Sequence, residues 1–260
     1  MIPTRENSPH VPVTVDEIVA CCRQVVEAGA SVLHLHARDQ GGFPTSDGAA
    51  YVTLVDRVRS ACPEAIICVS LSGRRISDVE SRAAPLAACP DMASLTMGSM
   101  NFPGSASVNA PETITELASR IHAIGAVPEL EVFEAGFVNY ASYLISKNVL
   151  HPPHFFNLIL GSLGAAPVDL LGLGHMVSLL PKGSTWSVGG IGRFQLDANV
   201  LALAAGGHVR VGLEDNLYFD RQRSVLADNP GLVERIVRIA RDMGREPATP
   251  AEARSIIGLP

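Results

Sequence analysis

The feature that most constrains this chain is the alternation of short apolar runs with longer helical patterns. Seven runs fit strands: SVLHLHAR (31–38), IICVSLS (66–72), MASLTM (92–97), VPELEVF (127–133), HFFNLILG (154–161), STWSVGGI (184–191) and HVRVGLED (208–215). Helical patterns lie before and between them, at 14–30, 109–126, 136–148, 168–180, 195–205 and 229–243. Thr14 with Glu17 three residues on is a capping-box pair that opens the first helix, and Gly29 closes it. Asn109 and Pro111 are expected to open the helix that stops at Gly125.

Strands separated by helices imply parallel pairing through right-handed crossovers. A (β/α)8 barrel is the expected α/β fold, built as a single domain over residues 1–260. Only seven strands are legible, and a Pro-rich loop precedes the first helix. The expectation is that the barrel lacks its first strand at the N-terminus, with ~10–15 residues belonging upstream. A doubly wound open sheet is the alternative, although no GxGxxG opens the first unit.

Composition narrows the function. Apolar residues make up 47% of the chain and charged residues 18%, which describes a globular rather than a disordered polypeptide. A formal charge of −6 with no Lys/Arg run offers no footprint for nucleic acid. No apolar run is long enough to cross a membrane, and the expected compartment is the cytoplasm. The cysteines Cys21, Cys22, Cys62, Cys68 and Cys89 form no CxxC pair and are expected to be reduced thiols.

His34 and His36 alternate within a strand, so both side chains leave the same face, about 7 Å apart along it. Two imidazoles on one face suit zinc, although an HxH pair alone is only moderately specific. Barrel active sites collect side chains from the C-terminal ends of strands. Those ends carry Ser70, Ser94, Thr96, Glu129, Glu131, Arg210, Glu214 and Asp215. Read as one strand, 208–215 puts Glu214 on the face of Arg210, and His34, His36 and Glu214 then make a metal triad with open positions. Asp215, oriented by Arg210, is the expected base, whereas an ion pair that merely stiffens the strand is the plainer reading of Arg210. Glu129 and Glu131 suit acid–base work, a second cation or structural pairing equally. His10, His122, His151, His154, His175 and His208 are expected to be ordinary histidines. The glycines after the last strands, such as Gly189, Gly190 and Gly192, are a weak phosphate signal.

The motifs PHVPVT (9–14), EAGASVLHLHARD (27–39), VSLSGR (69–74), MASLTMGSMNFPG (92–104), PELEVFEAG (128–136), GIGRFQ (190–195) and GGHVRVGLEDN (206–216) resemble, in order and over nearly the whole chain, the β-keto acid cleavage enzymes. The resemblance implies a zinc-dependent barrel that condenses a β-keto acid with acetyl-CoA to give acetoacetate and a new acyl-CoA. It implies zinc ligands at His34, His36 and Glu214, substrate contacts at Ser70, Gly73 and Ser94, and a catalytic pair at Arg210 and Asp215. Ser94 stands where the family has a threonine. A homo-oligomer, usually a tetramer, is also implied. The lysine-fermentation member has an acidic residue that pairs with its substrate's ammonium group, and Ile2 aligns with it here. An apolar residue cannot compensate a buried cation, so a neutral, apolar-tailed β-keto acid is the expected substrate. A CoA-independent zinc aldolase or hydrolase and a degenerate, non-catalytic barrel are the competing expectations.

Overall fold

The strand runs are β-branched and apolar because most of them are covered on both sides, as parallel strands flanked by helices must be. The computed structural model describes residues 3–74, 78–102 and 104–260. Its elements alternate in chain order: α1 (Val15–Glu27), β1 (Val32–Leu35), α2 (Gly48–Ala61), β2 (Ile66–Val69), α3 (Val79–Ala83) and β3 (Met92–Thr96). A hairpin of β4 (Met100–Phe102) and β5 (Ser105–Ser107) follows, then α4 (Pro111–Ala123), β6 (Val127–Val132), α5 (Ala135–Ser146) and β7 (Phe155–Leu160). The chain finishes with α6 (Leu170–Ser178), β8 (Thr185–Gly190), α7 (Gln195–Ala204), β9 (His208–Val209), α8 (Asn229–Asp242) and α9 (Pro250–Ile257).

Seven strands form one parallel sheet in the order β1-β2-β3-β6-β7-β8-β9. Among the described residues this is a (β/α)8 barrel without its first strand. Strand parity sorts the side chains into two sets. Ile67, Val69, Leu95, Leu130, Val132 and Leu158 face outward and pack with Leu54, Val58, Leu117, Ile121 and Val138 of the surrounding helices. The opposite set faces inward and changes character along the barrel. Ile66, Met92, Val127 and Phe155 make an apolar floor, above which come Cys68, Ser94, Glu129, Asn157 and Ser187, then Thr96 and Glu131. The site therefore has a dry base and a polar mouth.

The floor is sealed by α9, whose Ala253 and Ile257, with Leu259 beyond it, pack on those strand starts. Thr249 and Glu252 form its capping box, and Arg254 reaches Asp91 at 2.9 Å. The helices α2, α3 and α9 stand outside the expected set. The expected Asn109 cap is also corrected. Ala110 is the N-cap of α4 and offers no side-chain bond, because Asn109 is buried and engaged with Gly98, Ser99 and Arg82.

The sheet does not close on itself. The edges of β1 and β9 flank a cavity of about 420 Å³ lined by apolar groups that include Cys22, Val25, Val32, Val209, Val233 and Ile236. Its upper end opens on His34, His36 and Glu214.

Candidate active site

His34 ends β1 on its inward face, and His36 follows one residue past the strand, with the two ring centroids 5.2 Å apart. Glu214 arrives differently from expectation. β9 stops at Val209, so Glu214 sits on a turn and not on a strand face. That turn returns N–H groups of Asp215 and Asn216 to the Gly212 carbonyl. Gln195 donates to the same carbonyl at 3.0 Å, and Asn229 accepts the Leu213 N–H at 2.9 Å. The buried Gln195 and the half-buried Asn229 hold Glu214 in place more firmly than a free loop would.

The three side chains converge. His36 Nε2 lies 3.0 Å and His34 Nε2 3.9 Å from Glu214 Oε2. His34 turns its other nitrogen, Nδ1, to Glu129 Oε2 at 2.8 Å. Glu129 is held in turn by Asn157 Nδ2 at 2.8 Å and by the Cys68 thiol at 3.2 Å. Asn157 accepts from Ser187 at 3.1 Å. Sequence reasoning left Glu129 undecided and missed Asn157 and Gln195. For Asn157 the only signal was inward parity on a strand that is otherwise apolar, and Gln195, at the start of α7, had none.

Arg210 is the hub of the charges. Its guanidinium donates to Glu214 at 2.7 Å and to Asp215 at 3.0 Å, and it approaches Glu131 at 3.4 Å and Glu129 at 3.6 Å. One guanidinium thus faces four carboxylates, which leaves excess negative charge beside the two imidazoles. Burial opposes ionisation of Arg210, yet Asp215 and the three glutamates raise its pKa well above the ordinary arginine value. Burial likewise opposes the Glu214 carboxylate, but His36 and Arg210 hold it well below the usual range. Glu129 is lowered to about 2 against its burial, by His34 and then Arg210. Burial wins at Glu131, which is raised although Arg210 pulls the other way. Two carboxylates that share one strand face are therefore driven apart in acidity.

On the opposite side of the mouth, Ser70 is buried and its hydroxyl accepts the Ser72 N–H at 3.3 Å. Ser94 accepts the Leu71 N–H at 3.1 Å, which shapes the 70–74 loop from below. Gly73 lies against Arg82, and a Cβ there would come 2.7 Å from Nη1. A side chain at this position would displace a buried guanidinium, which explains the glycine. Arg74 stacks over Phe102 of the hairpin at 4.1 Å. Ile2, expected from the sequence to bear on the substrate's tail, lies outside the described residues.

A family model for beta-keto acid cleavage enzymes matches residues 1–259. The chain belongs to the beta-keto acid cleavage enzyme family. Within it, the chain is 41% identical over 260 residues to a 3-keto-5-aminohexanoate cleavage enzyme of Fusobacterium nucleatum, covering 98% of this chain and 93% of that protein. It is 34% identical to the 3-oxoadipate:acetyl-CoA acetyltransferase of Cupriavidus necator, covering 100% and 92% of the two chains. The binary complex of ObcA with oxaloacetate shares the fold, with a TM-score of 0.82 and 22% identity over 97% of this chain and 68% of that one.

Proposed function

We propose that this protein is a zinc-dependent transferase, in one catalytic domain, that converts a β-keto acid and acetyl-CoA into acetoacetate and a new acyl-CoA. The observation that carries the reading is the convergence of His34, His36 and Glu214 in an acid-rich mouth. The donor set fits a divalent ion. Ligand atoms around tetrahedral zinc lie ~3.3 Å apart, and the contacts to Glu214 of 3.0 and 3.9 Å bracket that spacing. His36 Nε2 is buried without a well-aligned hydrogen bond, so its lone pair has no better partner among the described residues. Glu129 on His34 Nδ1 leaves Nε2 as the ligating nitrogen, the usual support for a metal-bound imidazole.

Bound zinc would act as a Lewis acid on the substrate's keto oxygen, where negative charge develops. The chain's own groups do the rest. Ser70, the Gly73 N–H and Ser94 orient the substrate carboxylate from the 70–74 side. Asp215, aimed by Arg210, removes a proton from the carbon between carboxylate and ketone. The resulting carbanion attacks the thioester carbonyl and expels CoA thiolate. That thiolate then attacks the original ketone, and cleavage of the carbon–carbon bond releases the acyl-CoA and the carbanion of acetoacetate, which takes back the proton held by Asp215.

Support for the reaction class comes from relatives named for transfer to or from acetyl-CoA. Ile2 supports a neutral, apolar tail over an ammonium. Exposed Leu163, Leu170 and Leu171 suit contact between subunits, and we infer a cytoplasmic homo-oligomer. The test is a coupled assay for CoA-ester formation across a panel of β-keto acids. Turnover should require acetyl-CoA, and 3-oxohexanoate-like acids should exceed 3-keto-5-aminohexanoate in kcat/KM. Turnover without a thioester would overturn the reaction, and preference for the amino substrate would overturn the tail assignment.

A further inference from the structure

Arg82 is a strongly buried, charged side chain beside the mouth that the proposed chemistry does not use. It sits on α3 and is 2% exposed. Its Nε donates to the Leu71 carbonyl at 3.1 Å and its Nη2 to Asn109 Oδ1 at 2.9 Å. Both acceptors are neutral. Nη1 is buried and has no hydrogen-bond partner among the described residues. Burial pulls the Arg82 pKa below the ordinary arginine value, with only the more distant Glu131 opposing. A guanidinium in this state carries an uncompensated charge, which is costly unless an anion completes the site.

A small cavity marks where the anion goes. A half-open space of about 40 Å³ is lined by His36, Thr45, Ser70, Ser72, Arg74 and Arg82. A space that holds one water needs only ~10–15 Å³, so this one admits a carboxylate-sized group. Gly73, where an added Cβ would meet the guanidinium, has an N–H that donates to no acceptor among the described residues. His36 borders both this cavity and the metal-ligand cluster. A carboxylate here is therefore a short span from the His34–His36–Glu214 group, as the one- and three-position oxygens of a β-keto acid require.

We propose that Arg82 is the charge partner of the substrate carboxylate and the residue that makes the site select acids over their neutral analogues. Ser70 and the Gly73 N–H orient the carboxylate, and Arg82 beneath them supplies the positive charge in a low-dielectric wall. Asn109 fixes the guanidinium from the far side without neutralising it. The assignment rests on the proposed β-keto acid reaction and adds to it the group that carries acid specificity.

The experiment is calorimetric titration of the metal-loaded protein, without acetyl-CoA, with acetoacetate and with its methyl ester. Wild type, Arg82→Met and Arg82→Lys are compared after circular dichroism and melting show that they are folded. Loss of a charge-assisted bond is worth ~10-fold or more in affinity. Arg82→Met should therefore lower the acid-to-ester affinity ratio by about that factor, and Arg82→Lys should lower it less. Equal weakening of acid and ester would mean that Arg82 only shapes the loop and would overturn the proposal, as would an unchanged ratio in Arg82→Met. If Arg82→Met does not fold, Arg82→Gln decides: an acid-to-ester ratio lowered about 10-fold supports the charge role, and an unchanged ratio overturns it. Wild-type protein that binds acetoacetate while Arg82→Met does so equally well removes only Arg82. Wild-type protein that binds neither ligand removes the β-keto acid reading as well.

Discussion

His34 and Asp215 sit in one network but have different partners, and that difference makes their roles separable. His34 is tied to Glu129 through Nδ1 and offers Nε2 to the Glu214 side, whereas Asp215 touches Arg210 and is not among the grouped metal-ligating atoms. His34→Ala should therefore remove both bound zinc and turnover. Asp215→Asn should keep the metal and lose roughly 10²–10⁴-fold in kcat, the range for general acid–base groups. Elemental analysis beside steady-state kinetics checks both. Near-normal turnover in Asp215→Asn would transfer the base role to another carboxylate, with Glu131 next in reach of Arg210. At this scale strand parity put His34 and His36 on one face, whereas Arg210 and Asp215 were read on a strand run that ends at Val209, and Asp215 lies on the turn beyond it. Arg82 and Asn109 were not legible, because a residue on a short helix and one in a loop share no sequence period that would bring them under Gly73.

Elements place these residues, and their ends are where local sequence is strongest. Thr14 caps α1, and Glu17 returns its carboxylate to the Val13 and Thr14 N–H groups at 2.9 and 3.0 Å while pairing with Arg5. Arg5 first, then those N–H groups, hold Glu17 down to about 2. The sign is that of a depressed acid. Its contribution is complete above the unfolded value of ~4.3 and disappears as pH falls through about 2. Glu17→Gln should lower stability at neutral pH and converge with wild type as pH falls toward 2, flattening the stability–pH slope between those values. Thr14→Ala should cost about 1 kcal/mol at neutral pH in urea unfolding. A curve for Glu17→Gln that parallels wild type from pH 5 to pH 2 would mean that the box contributes no linked stability. The same local logic failed at α4, where Asn109 had the right residue type for a cap but tertiary bonds claimed its side chain.

The whole molecule is a barrel wall interrupted between β1 and β9, with a candidate metal site at the upper end of that interruption. β1 supplies His34 and the turn after β9 supplies Glu214, so a shared ion would link the two sheet edges directly. A ligand at 100 times its Kd stabilises by ~2.7 kcal/mol, which for a chain of this size is roughly 5–10 °C in Tm. Chelation should lower Tm by about that amount and zinc should restore it, with the His34→Ala variant indifferent to both. A wild-type Tm unmoved by chelator would argue that no ion bridges the edges.

Much of this protein was readable from local order. Periodicity of 2 and 3.6 determined the βα alternation, inward parity picked out His34, His36, Glu129 and Glu131, and seven motifs in sequence pointed to the family. Those signals survive in one dimension because each depends on residues within a turn or a strand of one another. The tertiary structure alone decided which carboxylate meets which imidazole, that Glu214 reaches the site on a turn pinned by Gln195 and Asn229, and that α9 seals the floor. It also decided that Arg82 lies buried and half-partnered beneath Gly73. These are contacts between groups far apart in the chain, and their energies arise from desolvation and charge, which no local pattern encodes.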